Sequence, residues 1–275
     1  MTRLGWLLLF SACYRSDTTT TPPRPDPLVQ ATTCNADDDV ARPVLDSHDG
    51  RLRMHSTAPL TAVRGRAGGR AWIGPAVPAY VPKRIGTLEL MVLDEIAGEG
   101  YLALYRDPYD VASCRLGNES NCAYQARYFS GGKVAWSLPL NKLMSRTDHL
   151  EIQDIRLSGG VLYFNEACQS YSNEAGGDCS SLVAVDPAAG RVLWRSPVLT
   201  SNNRFMVRGC YIVAGYGFTS EPDALHLIDR GTGKIVQRLP VASAPQGYTF
   251  ADPARLDVTL YSGDVRRYRL DNALA

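Results

Sequence analysis

Leu182-Val183-Ala184-Val185-Asp186-Pro187-Ala188-Ala189-Gly190-Arg191-Val192-Leu193-Trp194 decides the fold. Alternating apolar residues run into Asp-x-x-x-Gly-Arg, and a second apolar run follows. Asp hydrogen-bonds nearby backbone and Gly accepts positive φ, so this is a β-hairpin. Leu225 to Val236 repeats it, with Asp229, Gly233 and Lys234 at the matching places. Tyr124 to Trp136 is a degenerate copy, with Ser130 where Asp is expected, and Tyr268 to Asp271 begins another that the chain end cuts off. Asp186, Asp229 and Asp271 stand 43 and then 42 residues apart. A period near 40–45 residues marks four-stranded propeller blades.

Each hairpin has two strand-like runs upstream: Leu88 to Leu93 with Tyr101 to Tyr105, Leu150 to Leu157 with Val161 to Asn165, and Phe205 to Arg208 with Tyr211 to Gly215. Four antiparallel strands per repeat build a blade. Helical periodicity is weak everywhere and best at Asn141 to Arg146. Val44 to Arg53 also resembles a repeat hairpin and could supply the outer strands of the last blade. Residues 60–86 are either an irregular blade or a crossing loop. The expectation is an all-β propeller of four or five blades over 44–275, incomplete or closed by strands from both termini.

The Ala-x-Asp-x-x-x-Gly-Lys/Arg-x-x-Trp hairpin resembles the repeat of PQQ-like β-propellers. That superfamily holds quinoprotein dehydrogenases and the propeller lipoprotein of outer-membrane protein assembly; likeness to the latter is at repeat level. Ala184 to Trp194 matches closely, Gly132-Lys133 to Trp136 follows, and Gln237 replaces the Trp in the next copy. The resemblance implies that Trp136 and Trp194 dock one blade on the next. It does not imply a cofactor, and none is expected: the adjacent Cys pair of many quinoprotein dehydrogenases is missing, and those enzymes use larger rings.

The first thirteen residues resemble a bacterial lipoprotein signal peptide. Arg3 precedes an apolar run, Leu4 to Phe10, and Phe10-Ser11-Ala12-Cys13 stands as the lipobox, with Phe10 in place of the usual Leu. The run is far short of the about 20 residues that cross a bilayer. Residues 1–12 are then a signal peptide and Cys13 the lipidated residue; plain secretion is the competing reading. Residues 13–43 form a tether, because Ser-Asp-Thr-Thr-Thr-Thr-Pro-Pro-Arg-Pro-Asp-Pro (16–27) cannot bury enough apolar surface to fold. As a flexible chain it reaches about 30 Å. The expected address is the cell envelope, lipid-anchored, with the body in the periplasm or at the cell surface.

Seven Cys are present. Cys114 with Cys122, and Cys168 with Cys179, fall in corresponding inserts of consecutive blades, which points to two local disulfides. Zinc held by the four is the alternative; the wide spacings and the exported address favour oxidation. Cys34 and Cys210 then remain to pair with each other.

With 29 basic against 28 acidic residues, the net charge of +1 argues against nucleic acid as partner. None of His48, His55, His149 and His226 lies in a metal spacing, and His226, flanked by Leu225 and Leu227, is expected to be exposed. No Gly-x-Ser-x-Gly or phosphate-binding glycine motif stands between strand and helix. The segment that departs from scaffolding is Gly215-Tyr216-Gly217-Phe218-Thr219-Ser220-Glu221-Pro222-Asp223, which joins second to third strand where the preceding blades carry Cys pairs. Tyr216, Phe218, Glu221 and Asp223 are candidate contacts, since aromatic faces with carboxylates bind sugars, peptides or cations and loops on rigid scaffolds carry function. A non-catalytic binding or scaffold lipoprotein is expected, with another envelope protein or a surface glycan as partner. A propeller enzyme acting on a glycan or other exported substrate is the alternative.

Overall fold

The computed structural model describes residues 44–53, 66–67, 70–71, 77–96, 98–108, 114, 121–218, 220–252 and 255–271. Cys13, Cys34 and the expected signal segment and tether lie outside them. The described chain forms a four-bladed β-propeller with no α-helix among the described residues.

The first blade has the order β4 (Arg84–Ile85), β5 (Leu88–Ile96), β6 (Gly100–Arg106), β7 (Tyr124–Ser130) and β8 (Lys133–Pro139). In the second, β10 (Ile155–Ser158), β11 (Val161–Cys168), β12 (Ser181–Asp186) and β13 (Arg191–Arg195) follow one another, and β9 (Leu150–Glu151) pairs with the far end of β11. The third is β14 (Phe205–Arg208), β15 (Tyr211–Tyr216), β16 (Ala224–Asp229) and β17 (Ile235–Pro240). The fourth is β18 (Pro245–Asp252), β19 (Arg255–Leu260), β20 (Asp264–Asp271) and, on the outside, β1 (Val44–Arg53). Val44 pairs with Asp271, so a strand from the N-terminal part of the described chain supplies the outer strand of the fourth blade. Val44 to Arg53 does this as one strand, and not as the expected hairpin. Such closure covers a sheet edge that would otherwise stay open.

The five-blade alternative does not hold. Between β1 and β5 the described residues form only the two-residue pair β2 (Arg66–Ala67) and β3 (Arg70–Ala71), and β4, which extends the first blade. Leu150 to Leu157 is also not one strand. It breaks into β9 and β10, because the Asn165 side chain accepts the backbone N–H of Gln153 and Asp154 in place of a ladder. Asn141 to Arg146 forms turns rather than a helix. The only described helical segment is a short 3₁₀ turn, Ser172–Ala175.

Apolar clusters sit between consecutive blades, because residues alternate along each strand and both faces of the second and third blades are covered. Leu104 and Ala126 meet Phe164 and Val183 across the first junction. Tyr163 and Ala184 meet Phe205 and Ile212 across the second, and Val213 and Leu227 meet Val258 and Tyr268 across the third. His226 therefore is not exposed. It lies on the side of β16 that faces the second blade, 1% exposed, with Nδ1 bonded to the Thr200 carbonyl at 2.9 Å.

A register shift recurs at the same repeat position in three blades: Tyr128/Phe129, Ala184/Val185 and Leu227/Ile228. A bulge twists its strand and re-aims side chains. Beside it, Trp194 reaches across to the third blade and donates Nε1–H to the Arg230 carbonyl at 3.0 Å. Glu166 ties the second blade to the segment before it. Its buried carboxylate accepts Arg195 Nε–H and Nη2–H at 2.9 Å and the N–H and O–H of Ser145.

Candidate functional site

Strands within a blade alternate in direction, so loops joining second to third strands emerge on one face. The links from one blade to the next emerge there too. Cys114–Cys122 and Cys168–Cys179 are both disulfides, with Cα atoms 4.5 and 5.1 Å apart, and each closes such a loop. Cys210 is disulfide-bonded as well; its expected partner, Cys34, lies outside the described residues.

The second and third inserts touch. The Tyr171 and Phe218 rings meet edge to face, 4.9 Å between centroids. Glu221 Oε1 accepts the Ser172 N–H at 2.6 Å, and Glu221 Oε2 accepts the Tyr216 hydroxyl. Burial pulls the Glu221 carboxyl upward, but the bonds from Ser172 and Tyr216 outweigh it and hold the group below its ordinary value. Tyr216 is pushed up, by burial first and then by Glu221.

These loops wall a cavity of about 440 Å³. Gln169, Ser170, Phe218, Asp223, Asn202 and Tyr261 are among its lining residues, with Glu151, Gln153, Asn203 and Gln246 adding further acid and amide groups. No cationic side chain is among the described residues that line it. Phe218 is 43% and Tyr261 66% exposed. Asn202 bonds both the N–H and the carbonyl of Gly217 and so holds the loop against the wall. A Cβ at Gly217 would stand 1.8 Å from Asp223 Oδ1, so only glycine admits this approach. Asp223 Oδ1 is shielded from solvent and accepts no hydrogen bond from the described residues. Burial first, and then Glu221, raise the Asp223 carboxyl. Glu151 is buried, with Arg106 Nη1 3.6 Å from its carboxylate.

The four aromatic and acidic candidates thus divide. Phe218 and Asp223 line the cavity, whereas Tyr216, 2% exposed, and Glu221 brace the loop behind them. Sequence reasoning missed Glu151, Asn202 and Tyr261. They come from two inter-blade links and from the β19–β20 turn, and no local motif marks them.

Around the propeller axis, Arg156 lies 2.8 Å from Asp154 and 3.8 Å from Asp94. Asp154 Oδ2 accepts the Phe205 N–H at 3.1 Å. Burial pushes the Asp154 carboxyl up to about 6 despite Arg156. No cluster of three or more metal-ligating side chains occurs among the described residues.

No family model matches the chain, and no curated protein does. Among solved structures it is similar to the WD40 β-propeller domain of Doa1, at 11% identity and a TM-score of 0.43, over 66% of this chain and 50% of that one. It is similar to the computationally designed Ika4 protein at 10% identity and 0.44, over 71% of this chain and 99% of that one. A protein of unknown function from Bacteroides caccae is similar at 14% and 0.38, over 63% of this chain and 53% of that one. The chain spans about half the length of the Doa1 and Bacteroides caccae chains. These likenesses concern fold alone.

Proposed function

We propose that this chain is a lipid-anchored, non-catalytic binding protein of the bacterial cell envelope, whose PQQ-like propeller offers its loop face to a glycan. One observation carries the reading: the cavity combines two solvent-facing rings, Phe218 and Tyr261, with acids and amides and, among the described residues, no cation. Sugars present C–H faces to aromatic rings and hydroxyls to amide and carboxylate groups, whereas a phosphorylated or acidic ligand would call for Arg or Lys. The disulfides fit an oxidising compartment outside the cytoplasm. No described helix is long and apolar enough to cross a membrane, and Cys13 supplies the anchor in this reading.

Calorimetric titration of the full chain with neutral cell-wall oligosaccharides tests the ligand. Binding that Phe218→Ala with Tyr261→Ala abolishes supports it; no binding by the intact chain refutes it. Fatty-acid labelling that persists in Cys13→Ser refutes the anchor.

A second reading rests on the two carboxylates in the same cavity, Glu151 and Asp223. A glycan hydrolase pairs two such groups. Release of new reducing ends, lost in Asp223→Asn, would favour it.

A further inference from the structure

Asp186-Pro187 and Asp229-Arg230 occupy the same place in the hairpins of consecutive blades. At the junction of the second and third blades, the Arg230 side chain seals the interface. Its Nε donates to the Tyr163 hydroxyl at 3.0 Å, Nη1 to the Gly209 carbonyl at 2.9 Å, and Nη2 to Ser158 Oγ at 3.1 Å. The guanidinium carbon stands 5.8 Å from the Tyr163 ring centroid. Trp194 and Tyr163 are both buried there, their rings 5.9 Å apart.

At the junction of the first and second blades, the equivalent positions hold different side chains. Pro187 replaces Arg230 and cannot reach across. Trp136 matches Trp194 and Gly159 matches Gly209, Leu102 takes the place of Tyr163, and Glu99 lies in the turn just after Ile96, which takes the place of Ser158. A groove of about 300 Å³ lies there, lined by Trp136, Tyr128, Glu99, Gly159, Gly160 and Pro187. Tyr128, at the place of Ala184, sets its ring 5.9 Å from that of Trp136, and both are only half-buried. Trp194 packs hard on Gly233, where a Cβ would meet it at 2.4 Å; at Gly190, the matching glycine, the nearest atom is Leu138 Cδ1 at 3.8 Å. Trp136 is thus not tucked in as Trp194 is.

We propose that this groove binds an arginine side chain of a partner polypeptide, the group with which the same fold seals its next junction. A guanidinium is planar, lies against aromatic faces, and carries a fork of donors that suits backbone carbonyls. Glu99, in the turn beside the groove, adds a negative charge, and its exposed position lets an incoming cation approach. The groove is formed by the turns on the face opposite the glycan cavity, so it stands or falls independently of that reading.

Tryptophan fluorescence of the full chain, titrated with acetyl-arginine methylamide, tests it. The expected result is a saturable change in the millimolar range, absent with the neutral isostere acetyl-citrulline methylamide and absent from Trp136→Phe. Pro187→Arg fills the groove from within and should abolish the response. Glu99→Gln, an exposed change that leaves folding intact, should weaken the affinity several-fold. An equal response to citrulline, no saturable response, or full affinity in Glu99→Gln or in folded Pro187→Arg overturns the proposal.

Discussion

The Phe218 ring meets the Tyr171 ring edge-on at 4.9 Å, and this contact joins inserts from two blades into one wall. Glu221 locks the same pair of loops by accepting from Ser172 and Tyr216. Glu221→Ala should leave the buried Tyr216 hydroxyl without its acceptor, a cost of about 1–3 kcal/mol. Amide exchange in residues 169–180 should accelerate while the strands of the first blade stay protected. Phe218→Ala removes only the ring contact, about 1 kcal/mol, and should leave that exchange nearly unchanged.

Removing the Cys168–Cys179 bridge should destabilise the chain by about 2–3 kcal/mol, as expected for a loop this short. Denaturant unfolding of Cys168→Ala with Cys179→Ala against the intact chain measures it. Because Cys168 and Gln169 line the cavity, glycan affinity should fall as well.

Gly233 sits at φ +72° directly over Trp194. Gly233→Ala adds a left-handed strain of about 1–2 kcal/mol and an overpacking cost of about 1–3 kcal/mol. Gly190→Ala shares the backbone strain, with φ +62°, but meets open packing at 3.8 Å. Thermal unfolding should rank Gly233→Ala well below Gly190→Ala.

Burial holds the His226 imidazole below its ordinary value of 6.5, more strongly than the Thr200 carbonyl raises it. The folded state then binds that proton less readily than the unfolded state. The stabilising contribution is present above pH 6.5 and is lost as pH falls toward the depressed folded value. Asp154 has the opposite sign: raised to about 6, it favours the fold below its ordinary 3.8, and that contribution is lost as pH rises through about 6. Substituting His226→Gln separates the two. From pH 7 to 5 the wild type should lose stability relative to this variant, as read by urea midpoints.

The blades were legible because their hairpins need Asp and Gly at fixed offsets, and Asp186-Gly190 and Asp229-Gly233 display them. The bulge before each Asp was not, because Val185 and Ile228 look like any strand residue. The burial of His226 escapes the sequence for a related reason. Alternation implies one wet face, but a blade packed between two others has none at its third strand. The cavity was half legible. Phe218 and Asp223 stand in one conspicuous loop, whereas Glu151 and Tyr261 reach it only when distant turns meet on one face. Pro187 showed no sign of its role, since its meaning comes from comparison with Arg230 in three dimensions.

In the proposed function, the loop face binds a glycan through the cavity between its inserts. Calorimetric titration of the full chain with neutral cell-wall oligosaccharides, run beside Phe218→Ala with Tyr261→Ala, tests it most directly. Saturable one-site binding by the wild type and none by the double variant is the expected result, with both proteins unfolding at similar temperatures because these rings are exposed. Equal binding by the two proteins, or none by the wild type, would contradict it.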